Sequence, residues 1–203
     1  MRICFYGASS DRIAPAFLSA AETFGRELAQ RGHTLLFGGG ARGLMGAVAR
    51  GCSAAGGRII GVAPRFFDQE GVLYPGCTEL IFTDTMRQRK QILEDGSDAF
   101  AAAPGGIGTF DELFEILTLK QLGRHGKPVL LLNFEEYYAP LLALLENAIR
   151  QGFMTEECRG LWAAFSQPGA ALDWLEAGRG RTGDGSEPFY SAGKRQPGQS
   201  GAR

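Results

Sequence analysis

Pro104-Gly105-Gly106-Ile107-Gly108-Thr109-Phe110-Asp111-Glu112 sits between an apolar segment, residues 98–103, and a run in which Leu113, Phe114, Leu117 and Leu119 recur at helical spacing. This is the order of a strand-to-helix turn. Such a turn leaves the first N–H groups of the helix without partners, and with the positive end of the helix dipole they suit an anion such as phosphate. Gly105, Gly106 and Gly108 let that anion approach without Cβ clashes, and Thr109 adds a hydroxyl. Glu112 puts a carboxylate one helical turn from this cradle. The same residues admit a reading without a ligand, because Thr109 followed three positions later by Glu112 matches a capping box. The density of glycine argues against capping alone, since a helix start does not need it and it costs backbone entropy on folding.

Upstream, residues 34–37 read as a buried strand, followed by Gly38, Gly39, Gly40, Gly43 and Gly46. Gly38-x-Gly40-x-x-Gly43 formally matches the dinucleotide fingerprint, which also wants an acidic residue about twenty positions on to hold a ribose hydroxyl. The next strand, 58–62, ends in Ala63-Pro64-Arg65 instead. That disfavours a dinucleotide site and leaves a tight strand-helix packing turn as the plainer expectation. Neither glycine loop continues into Gly-Lys-Ser/Thr, so a P-loop NTPase is not indicated.

Strand-like and helix-like segments alternate along the chain. Strands are expected at 3–6, 34–37, 59–62, 79–82, 99–102 and 129–132, with a short one at 162–165. Helices are expected at about 13–30, 44–55 and 84–95, after Thr109, after Tyr137, and at 170–176. The alternation predicts an α/β fold, a doubly wound parallel sheet with helices on both faces. In such a sheet the strand-to-helix turns all open at the carboxyl edge, so those at Gly7, Gly38 and Gly105 should converge on one pocket. The turn into helix 84–95 opens at the same edge, and its Met86, Arg89 and Lys90 share a face. The bland alternative for these cations is a solvated basic face, or pairing with Glu94 and Asp95. Residues 1–178 are expected to form one domain. Residues 179–203, dominated by Gly, Pro, Ser and Arg without hydrophobic spacing, read as a disordered tail.

The 203 residues, 44% of them hydrophobic, can bury a sizeable core. A formal net charge of −1 gives no sign of bulk nucleic-acid binding, although a local Arg cluster can still serve one small anion. Cys4, Cys52, Cys77 and Cys158 are widely spaced, which fits reduced thiols in a cytoplasmic protein better than zinc or disulfides. His33 and His125 have no acidic cluster beside them in sequence, so no metal is expected. The first twenty residues lack a signal peptide's basic start and apolar core, and no apolar run approaches a membrane span.

Three motifs in order carry a family resemblance: Gly38-Gly39-Gly40 with Gly43-Leu44-Met45-Gly46, then Met86-Arg87-Gln88-Arg89-Lys90, then the 104–112 segment. Together they resemble the Lonely Guy (LOG) family, many of whose members were labelled lysine decarboxylase-like, over residues 2–177. The resemblance implies a Rossmann-like fold, homodimers or larger assemblies, and hydrolysis of cytokinin riboside 5′-monophosphates, often also AMP, to free base and ribose 5-phosphate. It implies Arg89 and Glu112 as the catalytic pair and Gly105, Gly106, Gly108 and Thr109 as phosphate binders. Ser9, Gly40, Met86 and Lys90 are expected to join them in binding the nucleoside 5′-monophosphate, without metal or cofactor. One departure is Arg87, where the family pattern commonly has His.

The older decarboxylase label fails on chemistry, since a pyridoxal-phosphate enzyme needs a Schiff-base lysine. The chain has only Lys90, Lys120, Lys127 and Lys194, of which only Lys90 is expected near the pocket. The competing function is a nucleotide or molybdenum-cofactor carrier on the same fold. Such a carrier would need the glycine loops but not the Arg89 and Glu112 pair. A nucleotide-binding regulatory sensor ranks behind both.

Overall fold

The apolar runs of the inner strands are buried on both sides, and those of the two edge strands only in part, in the computed structural model, which describes residues 1–178. The tail expected at 179–203 lies outside the described residues. Seven strands, β1 (Arg2–Tyr6), β2 (Thr34–Phe37), β3 (Ile59–Pro64), β4 (Glu79–Thr83), β5 (Ala99–Ala102), β6 (Val129–Leu132) and β7 (Ala163–Phe165), form one sheet. Their order is β4-β3-β2-β1-β5-β6-β7, and all six pairings are parallel. The connecting helices are α1 (Pro15–Gln30), α2 (Gly43–Ala54), α3 (Met86–Asp95), α4 (Ile107–Gln121), α5 (Ala139–Arg150) and α6 (Pro168–Gly178). The chain steps outward from β1 to β4, then returns through α3 to β5 on the other side of β1. The β1/β5 boundary is therefore the switch point, where a doubly wound sheet opens a crevice at its carboxyl edge.

Alternation along each strand feeds two cores. Ile3 and Phe5 of β1 pack with Phe24 of α1, Val48 of α2 and Leu172 of α6, whereas Cys4 and Tyr6 pack with Leu93 of α3, Leu113 of α4 and Ile149 of α5. Burial pushes the Cys4 thiol up to about 12, as expected of an inert core cysteine. The α1–α2 contact is close enough to need glycine on both helices. A Cβ at Gly25 would stand 2.0 Å from Val48 O, and one at Gly51 would stand 1.9 Å from Glu22 O.

Several helix starts differ from the sequence reading by one to three residues, α1 at Pro15 rather than about 13 and α6 at Pro168 rather than 170 among them, and two of the shifts bear on the site. The expected 84–95 helix begins at Met86, because Thr85 is its N-cap. Thr85 Oγ1 accepts from Gln88 N at 3.2 Å while Gln88 Oε1 accepts from Thr85 N at 3.2 Å, a complete capping box. Conversely, α4 begins at Ile107 with Gly106 as N-cap, so Thr109 lies inside the first turn and makes no side-chain cap. The Thr109/Glu112 capping box is thus absent. Along α4, Leu113, Ile116 and Leu117 are buried, while Phe114, which shares their apolar run in the sequence, faces outward at 41% exposure.

Candidate active site

The turns after β1, β2 and β5 meet at the carboxyl edge around a cavity of about 550 Å³. The expected catalytic pair, Arg89 and Glu112, lines it, as do Ser9, Gly40, Met86, Lys90, Gly106, Gly108 and Thr109 of the residues expected to bind substrate. Gly105 does not. A Cβ there would stand 2.1 Å from Thr109 Oγ1, so this glycine makes room for the threonine rather than for a ligand.

The two glycine loops present their helices differently. At α2 the first N–H groups are already bonded: Gly43 N donates to Asp11 Oδ1 at 2.9 Å, and Leu44 N and Met45 N donate to Ala8 O at 2.8 and 3.4 Å. Gly43 has φ +58, and a Cβ on it would lie 2.4 Å from Ala8 O, which explains glycine at that position. These first N–H groups are therefore not available to an anion. At α4 the N–H groups of Gly106, Ile107, Gly108 and Thr109 have no acceptor among the described residues, and the first bond of the helix is Phe110 N to Gly106 O at 3.0 Å. Gly106 and Gly108 are exposed, and added Cβ atoms would meet nothing within 4 Å. Open donors at a helix start form an anion site.

Beside that helix end lies a buried ion pair. Arg89 Nη1 donates to Glu112 Oε1 at 2.7 Å, and Arg89 Nε donates to Val62 O within β3 at 3.2 Å. Arg89 is only 6% exposed, and Nη2 has no acceptor among the described residues. Gly38 creates the space, since a Cβ there would stand 1.9 Å from Nη2. Desolvation raises the Glu112 carboxyl above its ordinary value, and the Arg89 charge offsets part of that rise. Neighbouring Lys90 bridges to the same helix, with Nζ 3.1 Å from Asp111 and 2.9 Å from Glu115. Arg89 and Lys90 therefore pair across to α4, not along their own helix to Glu94 and Asp95.

Most of the remaining wall is apolar and comes from Met45, Phe67, Val72, Leu73 and Met86, with Arg42 and Asp111 adding charged side chains. Phe67, Val72 and Leu73 escaped the sequence reading because they belong to an aperiodic segment after β3. That segment is tied to the second glycine loop by an antiparallel bridge, Gly40 to Leu73, and by Ala41 N to Val72 O at 2.9 Å. Arg87 is exposed and does not line the cavity. Among the described residues no three His, Cys, Asp or Glu side chains gather to hold a metal.

The model of the family described as possible lysine decarboxylase matches residues 45–175. The cytokinin riboside 5′-monophosphate phosphoribohydrolase of Rhodococcoides fascians is 44% identical over 140 residues, covering 68% of this chain and 71% of that one. A phosphoribohydrolase of the same name from Arabidopsis thaliana is 35% identical over 175 residues, 86% of this chain and 82% of that one. This chain belongs to the LOG family.

Solved structures show LOG-type architecture in a wider group. The molybdenum cofactor binding protein of Rippkaea orientalis superposes with a TM-score of 0.68 at 24% identity, over 87% of this chain and 95% of that chain, and so shares the fold. The molybdenum cofactor carrier protein of Chlamydomonas reinhardtii gives 0.64 at 25% identity, over 87% and 98%. The decarboxylase in the family description does not fit this LOG-family cavity. Its one lysine, Lys90, is held by Glu115 and Asp111, which raise its pKa and keep it a protonated cation unfit to form a Schiff base. Burial lowers Lys120 to about 8, but its Nζ donates to Leu161 O and it does not line the cavity.

Proposed function

We propose that this protein hydrolyses the N-glycosidic bond of nucleoside 5′-monophosphates, cytokinin riboside 5′-monophosphates and AMP among them, to free base and ribose 5-phosphate. The observation that carries the reading is the Arg89–Glu112 pair, buried in the same cavity as the open N-terminus of α4. A cavity of this size suits a nucleotide, since small-molecule sites span roughly 300–1,000 Å³. The phosphate takes the free N–H groups at Gly106, Gly108 and Thr109. The base lies toward the apolar wall of Phe67, Val72 and Leu73.

As the N-glycosidic bond breaks, its electron pair leaves with the base, which takes up a proton from solvent; the Glu112 carboxylate offsets the oxocarbenium character left on the ribose and accepts a proton from the water whose oxygen bonds to C1′. Arg89 holds Glu112 in place through Nη1 and offers Nη2 to the negative charge developing on the departing base. The phosphate, bound away from the scissile bond, supplies the energy that positions it, so nucleosides are much poorer substrates than their monophosphates. The carrier alternative lacks a use for this pair, and the sequence stands closer to phosphoribohydrolases at 35–44% identity than to the carrier at 25%.

Incubation with AMP and with N6-isopentenyladenosine monophosphate, following free base by chromatography, tests the reading. Wild type releases base, and Glu112→Gln is slower by about 10²- to 10³-fold while remaining folded. A Glu112→Gln protein with full activity would remove Glu112 from the mechanism. Wild type that binds nucleotide and turns over none would favour a carrier.

The reading includes a homodimer. The outer face of α4 carries a shallow apolar groove of Ile107, Phe110, Phe114 and Leu119, with Ile107 84% exposed. A second copy would bury this stripe beside the phosphate loop. Size exclusion with light scattering detects the dimer, and a monomer at all concentrations would refute it. Free thiols and a metabolite substrate suit a cytoplasmic location.

A further inference from the structure

Behind the α4 turn, three consecutive carbonyls are each held by a different donor. Tyr138 Oη donates to Ala103 O at 2.8 Å, Ala8 N to Pro104 O at 3.0 Å, and Tyr137 Oη to Gly105 O at 2.5 Å. The Gly105–Gly106 peptide is planar and trans, so its C=O and N–H point in opposite directions. A hydroxyl that fixes the Gly105 carbonyl therefore fixes the Gly106 N–H facing the other way. Gly106 lines the cavity, and Tyr137 does not. We propose that Tyr137 is a positioning residue for substrate phosphate, its hydroxyl aiming the Gly106 N–H at the anion from outside the cavity.

The segment that delivers Tyr137 is held in an unfavourable conformation. Glu135 and Glu136 have φ of 50° and 60°, and they are the only non-glycine residues with positive φ among the described residues. Side chains avoid this left-handed region, and such residues persist only where their surroundings over-determine them. Here the surroundings are firm. Phe134 and Tyr138 flank the bend and are buried, and Asn133 Oδ1 accepts from Tyr138 N at 2.7 Å across it. The Tyr137 ring rests edge-on against Phe17 of α1 and against Tyr138, with centroids 6.3 and 5.2 Å apart. Those ring contacts survive loss of the hydroxyl, which makes Tyr137→Phe a selective probe of the Gly105 bond.

This inference rests on the proposed phosphate site, and calorimetry separates the two. Wild type and Tyr137→Phe are titrated with ribose 5-phosphate, which uses the anion site, and with adenine, which does not. The expected result is binding of ribose 5-phosphate weakened roughly 3- to 10-fold in the variant, the worth of one hydrogen bond, with adenine affinity unchanged. Equal ribose 5-phosphate affinity in the two proteins would overturn the positioning role and leave the phosphoribohydrolase reading intact. Equal weakening toward both ligands would also overturn it, because it would mark a general structural defect. A wild type that neither binds ribose 5-phosphate nor cleaves AMP would overturn the function and the positioning role together.

Discussion

The N-termini of α2 and α4 both follow a glycine loop at the carboxyl edge of the sheet, yet one is closed and the other open. At α2 the carboxylate of Asp11 and the carbonyl of Ala8 occupy the donors that a bound phosphate would use. At α4 the donors are free and the flanking glycines are exposed. The α2 loop is the one that matches the dinucleotide fingerprint, and its glycines serve packing instead: Gly43 against Ala8 O and Gly38 against Arg89. A glycine pattern therefore states that backbone must pass close to something. What that something is, ligand, backbone or side chain, depends on which neighbours arrive first.

The sharpest way to break this contrast is to close α4 as α2 is closed. Gly108→Asp places a carboxylate on the open N–H groups, where a side chain meets nothing within 4 Å. It should lower kcat/KM for AMP by about 10²-fold, through competition and like-charge repulsion with phosphate. Its melting temperature should not fall, because an acidic residue in the first turn favours the helix. A variant that kept wild-type kcat/KM would mean that phosphate binds elsewhere.

Next in size is the pH response of the pair beside α4. In the proposed mechanism the ionised form of Glu112 does the work, so kcat/KM should fall about tenfold per pH unit on the acid side, with a midpoint above the ordinary 4.5. Stability runs the other way. With its folded-state pKa raised, Glu112 favours the fold most below the unfolded value, and that contribution is lost as the pH rises through the raised one. Glu112→Gln should abolish this part of the pH dependence of the melting temperature; its persistence in the variant would assign the titration to another group.

At the closed end, Asp11→Ala should cost about 1 kcal/mol of stability in chemical denaturation, as cap removal does, since it frees the Gly43 N–H. An unchanged midpoint would show that the carboxylate is not needed to satisfy α2. The smallest effect belongs to the bend behind α4. Glu136→Gly relieves a left-handed side chain and should raise stability by roughly 0.5–1 kcal/mol, reduced by the added entropy of the unfolded chain. A loss of stability there would mean that the Glu136 side chain contributes more than its backbone costs.

How much of this was legible in the sequence varies with the kind of interaction. Strands β2, β5 and β6 were readable to the residue, because strands covered on both faces are short continuous apolar runs bounded by turn residues. The helix ends were less readable. Thr85-x-x-Gln88 and Thr109-x-x-Glu112 have the same capping spacing, and only the first is a capping box. Thr109 is instead inside the helix, with Gly105 packed beneath its hydroxyl. The apolar wall of Phe67, Val72 and Leu73 left no periodic trace, since backbone bonds to the Gly39–Ala41 stretch, not side-chain pattern, hold that segment over the cavity.

By itself the sequence determined the alternating strand and helix order, the glycine turns that bring β1, β2 and β5 to one edge, and a cradle next to a carboxylate. These follow from local preference: apolar period, glycine's freedom and helix polarity act over a few neighbouring residues. Only the tertiary structure decided which helix end stays open and which partner Arg89 takes. Glu94 and Asp95 lie on its own helix, but the guanidinium pairs with Glu112, 23 residues away. The physical reason is burial. Inside the crevice Arg89 is cut off from water, so it needs a buried acceptor at hydrogen-bond distance, and the fold brings Glu112 there.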